Sequence, residues 1–154
     1  MFQKLKEALM GVNGEAVAAS QDTDPVKLAC AALLARAAWL DGHLDAKEEK
    51  ALISLMVERF SLDETDAVNI VSEATADVND RNDIYKYTKI VRDAFDESER
   101  IALMEMLWQL VYSDGELHDF EATLMRRLAG LLFVDDRQSG AARKRALEKL
   151  KEAN

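Results

Sequence analysis

Two stretches gather carboxylates and imidazoles at close spacing: LDGHLDAKEEKALISL at residues 40–55 and SDGELHDFEATLMRRL at residues 113–128. The first holds Asp41, His43, Asp45, Glu48 and Glu49; the second holds Asp114, Glu116, His118, Asp119 and Glu121. The chain's 2 histidines both fall here. Oxygen donors dominate, and such sets suit hard cations such as Ca²⁺ or Mg²⁺. The imidazoles would let Zn²⁺ or Mn²⁺ compete. The ligands expected on this reading are Asp41, Glu48, Asp114 and Glu121, with His43, Asp45, Glu116 and His118 as further donors. The turns are not EF-hands, which need Gly at loop position six and Glu at twelve. Counting from Asp41 those positions hold Ala46 and Leu52; counting from Asp114 they hold Asp119 and Met125.

Much of each turn also follows from helix-corner chemistry. Gly42 and Gly115 suit the left-handed residue after a helix. Asp45 and Glu48 fit an N-terminal capping pair. Asp41 and Asp114 are the surplus. Each is expected at a helix C-terminus, where the macrodipole disfavours a carboxylate by about 0.3–1 kcal/mol. A cation, or the free amides that open the next helix, would offset that cost.

The flanking residues supply the elements that hold these turns. Apolar residues recur at helical spacing, and no segment shows sustained β alternation. Asp24 and Pro25 suit an N-cap and a first helical position. Leu28, Ala31, Leu34, Ala35, Ala38 and Trp39 then form an apolar face ending near Asp41–Gly42. Leu52, Leu55, Met56 and Phe60 mark a second helix. Ser61 and Glu64 read as a capping pair for a third, with Ala67, Ile70, Val71 and Ala74 on one face. The NDRND stretch near residue 80 breaks the pattern. Ile84, Tyr87, Ile90 and Val91 mark the next helix. Asp96 and Glu99 open one that is apolar nearly all round, the pattern of a buried helix; it ends at Asp114–Gly115. Phe120, Leu124, Leu128 and Leu131 follow, then a basic C-terminal helix. Residues 1–23 read as a short amphipathic helix (Phe2, Leu5, Leu9) and a loop. Residues 24–152 read as one all-α domain, a compact bundle of seven or eight helices.

The chain has 154 residues and a net charge of −9. Such a charge excludes the basic footprint of a nucleic-acid binder. Residues 137–151 hold six Lys/Arg against one Glu, leaving residues 1–136 at −13 once Glu152 is counted. The basic last helix is expected to dock on this acidic body, with a partner or an acidic lipid surface as the alternative. Cys30 is the sole cysteine and reads as a small core residue. Trp39, Trp108, Tyr112 and the methionines read as core. No run of about 18 apolar residues occurs, and MFQKLKEALM does not read as a signal peptide. A cytoplasmic location is expected.

A shift of 73 residues superposes the two turns: Asp41 on Asp114, Gly42 on Gly115, Leu44 on Leu117 and Glu48 on Glu121. Leu34 meets Leu107, Leu55 meets Leu128, Phe60 meets Phe133, and Trp39 meets Tyr112. One gap-free offset over helix, turn and helix indicates a duplicated hairpin, about residues 28–62 and 101–135. With two copies, a compact pseudo-symmetric bundle is expected rather than an open solenoid.

These stretches, AALLARAAWLDGHLDAKEEKALISLMVERFSLDETDA (31–67) and ALMEMLWQLVYSDGELHDFEATLMRRLAGLLF (102–133), resemble the tellurite-resistance TerB-like family. The shared pattern is a duplicated D-G-x-hydrophobic-x-x-x-E turn between helices. The resemblance implies an all-helical bacterial protein without established catalysis. It also implies a divalent metal at Asp41, Glu48, Asp114 and Glu121, and a sensing or docking role in stress response. In the second copy His118 replaces the better cap, Asp45.

Three functions follow. The first is a metal-binding interaction module in which the turns share one ion or hold two, read by a protein partner. The second is a structural or co-chaperone-type docking domain with no metal. The remote third is a metal-dependent hydrolase, for which no nucleophile motif is present. No organic cofactor is expected.

Overall fold

A computed structural model describes residues 24–38, 45–81, 84–113 and 119–153, the side chains of 77–81, 119–121 and 153 excepted. Seven helices and no strand occur among them: α1 Pro25–Ala38, α2 Ala46–Phe60, α3 Glu64–Arg81, α4 Ile84–Ala94, α5 Glu97–Val111, α6 Asp119–Leu131 and α7 Asp136–Ala153. The N-terminal helix expected within residues 1–23 lies outside the described residues.

Short polar side chains set the helix starts. Asp24 Oδ1 accepts from the N–H groups of Val26 (2.8 Å) and Lys27 (3.2 Å), with Pro25 in the first helical position. Asp96 and Glu99 form the full reciprocal box at the start of α5 (2.8 and 2.9 Å). Asp135 and Gln138 exchange the same pair of bonds at the start of α7 (3.2 and 2.7 Å). Each satisfies amides that the first helical turn leaves open. The start of α3 departs from the sequence reading. Asp63, not Ser61, accepts from the N–H of Asp66 at 2.7 Å. Ser61 instead terminates α2 with φ 54°.

α1 packs against α2, α3, α4, α5 and α6. It is buried all round, beyond the single stripe that its spacing predicts: Ala29, Cys30, Ala31, Ala32, Leu33, Leu34, Ala35, Ala37 and Ala38 all lie inside. Small side chains explain this. Alanine favours the helix and lets neighbouring helices approach from every side. α5, the other central helix, packs on α1, α2, α6 and α7 and buries Ala102 through Trp108, Leu110 and Val111. α2 and α6 each flank this central pair and touch both members. Leu52, Met56, Met125 and Leu128 fill the layers between; each such side chain contributes about 1.5–3 kcal/mol of burial.

The helix ends keep the register of the 73-residue offset. α1 ends at Ala38 and α5 at Val111, and α2 begins at Ala46 and α6 at Asp119. Both junctions keep the offset of 73. The copies diverge at their ends. Phe60 is buried at 4% exposure, whereas its counterpart Phe133 is 65% exposed. α6 stops two residues early in a Schellman motif: Val134 N–H bonds to the Ala129 carbonyl (2.8 Å) and Phe133 N–H to that of Gly130 (3.2 Å). This places Phe133 at φ 59° and turns its ring outward.

The basic C-terminal helix docks as expected. α7 lies along α5, with Ala142 and Ala146 fully buried. Trp108 Nε1 donates to Ser139 Oγ at 3.1 Å. Arg143 lies over the stacked rings of Trp108 and Tyr112 and donates to the Tyr112 hydroxyl at 2.7 Å. No described helix is long and apolar enough to cross a membrane.

Candidate metal centre and the charged core

Each acidic turn bridges two helices. The first occupies residues 39–45 between α1 and α2, the second residues 112–118 between α5 and α6. Both segments have the same length. Asp41, His43, Asp114, Glu116 and His118 lie outside the described residues, as does the side chain of Glu121. Asp45 and Glu48 are described. Asp45 has extended backbone (φ −77°, ψ 168°), and its Oδ1 accepts from the Glu48 N–H at 2.8 Å. One carboxylate oxygen of Asp45 therefore caps α2, as expected. Among the described residues, no group of three or more His, Cys, Asp or Glu side chains is placed to hold a metal ion.

α5 closes slightly sooner than its sequence suggests. Its last helical residue is Val111, followed by the cap Tyr112, whose N–H bonds to the Trp108 carbonyl at 3.1 Å. Asp114 thus falls two positions past the cap.

The described charged centre was not legible as a site. Glu105 is buried in the middle of α5 and gathers three cations from two other helices. Arg59 of α2 donates from Nη2 to its Oε2 at 3.2 Å. Arg145 of α7 donates from Nε to its Oε1 at 2.7 Å, and Lys149 of α7 donates to its Oε2. Burial pushes the Glu105 carboxyl up, but hydrogen bonds from Lys149, Arg145 and Arg59 outweigh it and hold the group below its usual range. Arg59 also donates to Gln109 Oε1. The one available signal was a lone carboxylate inside the apolar run IALMEMLWQLV.

Arg59 also relates the ends of α2 and α5. It sits at the far end of α2 from Ala46, about 20 Å along the helix, and reaches Gln109 in the last turn of α5. The close of α5 therefore lies against the end of α2, away from its start. Arg36 in the last turn of α1 feels burial first and then the charge of Arg127 on α6, both lowering its proton affinity.

Cys30 is fully enclosed. Burial, then the charges of Asp24 and Glu99, push its thiol far up, so it is a packing residue and not a nucleophile.

Residues 27–144, which hold both helical hairpins and both acidic segments, are matched by the family model described as Tellurite resistance protein TerB. The chain belongs to the TerB family. The match runs from Lys27 in α1 through α6 and the first half of α7; it includes Arg59 and Glu105 and stops just short of Arg145 and Lys149. No curated protein and no solved structure matches this TerB chain.

Proposed function

We propose that this TerB protein is a non-catalytic, divalent-cation-binding interaction module, working in the cytoplasm as part of a tellurite-resistance type of stress response. The observation that carries this reading is the equivalence of the two acidic turns. Both span the same length, join a central helix to a flanking one, and begin and end at the same offset. Asp41, Glu48, Asp114 and Glu121 are the ligands in this reading, with His43, Asp45, Glu116 and His118 as further donors. Their oxygen-rich chemistry suits Ca²⁺ or Mg²⁺.

The reading takes two ions, one per turn, in preference to a shared one. Its support is the bond from Arg59 to Gln109, which holds the close of α5 at the end of α2 remote from Ala46. Cation binding at a turn would fix the angle between a central helix and its flanking partner, and a protein partner would read the result. The test is thermal melting of chelator-stripped protein with millimolar Ca²⁺, Mg²⁺, Mn²⁺ or Zn²⁺. A ligand that binds only the folded state raises Tm. The rise should vanish in the Asp41→Asn/Asp114→Asn double variant; an unchanged wild-type Tm with every metal refutes the reading.

A metal-free docking domain is the second reading. It is favoured by Asp45, which already serves as a helix cap. On that reading the double variant melts at the same or a higher temperature and keeps any partner affinity.

A further inference from the structure

Phe133 combines two unfavourable properties. Its φ of 59° lies in the left-handed region, where a bulky residue is an outlier. Its ring is also 65% exposed. Glycine would serve the Schellman position without strain. Arg92 of α4 lies 4.7 Å from the ring centroid, and a second pair sits beside it. Tyr85, seven residues before Arg92 on α4 and 54% exposed, accepts from Arg127 Nη2 at 2.6 Å, with that guanidinium 5.1 Å from its ring. Exposed Tyr, Phe and Arg are the residue types enriched in interface centres. Exposed Lys86 and Arg126 extend the positive field, while Lys89 and Asp93 neutralise one another at 2.9 Å.

The complementary surface lies elsewhere on the same chain. A groove of about 520 Å³ runs along α2 to the start of α3. Ile53 and Val57 contribute its apolar lining, and Glu49, Lys50 and Glu64 its charges. Exposed Glu58, Asp63 and Asp66 add negative charge around the α2–α3 junction. An aromatic knob flanked by arginines and an apolar groove flanked by carboxylates match in shape class and in sign.

We propose that these two surfaces are the halves of a head-to-tail contact between copies of this chain. Phe133, with Tyr85 beside it, enters the Ile53–Val57 groove of the next molecule, while Arg92 and Arg127 face Glu49 and Glu64. The contact is heterologous, so it leaves one knob and one groove open at the ends of each assembly. It uses none of the eight candidate metal ligands, although Glu49 adjoins Glu48.

Sedimentation velocity of the full chain in chelator, from micromolar to millimolar concentration, tests this. The wild type should show a sedimentation coefficient that rises with concentration. Phe133→Gly should melt at the same or a higher temperature, because glycine accepts the left-handed backbone, and should sediment as a monomer throughout. Glu49→Lys/Glu64→Lys, at two exposed positions, should also remain monomeric. Mixing these two variants restores one intact knob and one intact groove, and should give a one-to-one complex that neither forms alone. A wild type that stays monomeric up to millimolar concentration overturns the proposal and leaves the knob to a different partner. So does a folded Phe133→Gly that associates like the wild type, or a mixture that forms no complex.

Discussion

Arg59 and Glu105 stand 46 residues apart in the chain and meet through a 3.2 Å bond, with side chains 3% and 6% exposed. The bond ties the first repeat to the second, and Arg145 and Lys149 tie the same carboxylate to α7. Removing one member of a buried ion pair leaves the other charge uncompensated, typically at a cost of about 3–5 kcal/mol. Glu105→Ala should therefore lower Tm on the order of 10 °C. Arg145→Ala, at a half-exposed partner, should have a much smaller effect, because exposed pairs contribute about 0–1 kcal/mol. Thermal and urea melts of the two variants measure the difference.

The same carboxylate sets an acid limb. Its folded pKa is held below the ordinary value of 4.5. The unfolded chain then binds the proton more readily, so this contribution is fully present above that value and is lost as pH falls through and below it. Stability measured from neutral pH down to pH ~3 should fall, and Glu105→Gln should flatten the part of the fall below about pH 4.5.

The α2–α3 corner offers a choice between two caps. Asp63→Ala removes the side chain that accepts from Asp66 and should cost about 1 kcal/mol. Ser61→Gly relieves a left-handed residue at φ 54° and should stabilise by up to about 1 kcal/mol. Chemical denaturation midpoints of the two variants should move in opposite directions.

Cys30 should resist alkylation in the native protein and react only on unfolding, since its thiol is fully enclosed and its pKa is raised. Mass spectrometry after iodoacetamide treatment, with and without denaturant, reads this directly. Rapid native labelling would place Cys30 outside the core.

Local chemistry made most of the fold legible. Asp24–Pro25 and Asp96–Glu99 start helices where their types predict, and the offset of 73 carries Ala38 to Val111 and Ala46 to Asp119. Ser61 misled because Ser61/Glu64 and Asp63/Asp66 both have capping spacing, and only the backbone decides between them. The 73-residue offset pairs Phe133 with the buried Phe60, but an earlier helix stop turns Phe133 outward. Glu105 and Arg59 were illegible because nothing local connects residues on different repeats. Of the candidate ligands, Asp45 is found where its cap chemistry places it, accepting from the Glu48 N–H.

The central claim is that each acidic turn holds one divalent cation. Calorimetric titration of Ca²⁺ and Mg²⁺, then Mn²⁺ and Zn²⁺, into chelator-stripped protein tests it most directly. The account predicts two ions per chain, one of them lost in Asp41→Asn and the other in Asp114→Asn. A stoichiometry of one abolished by either substitution would contradict the two-site claim, and no binding heat up to millimolar metal would contradict metal binding itself.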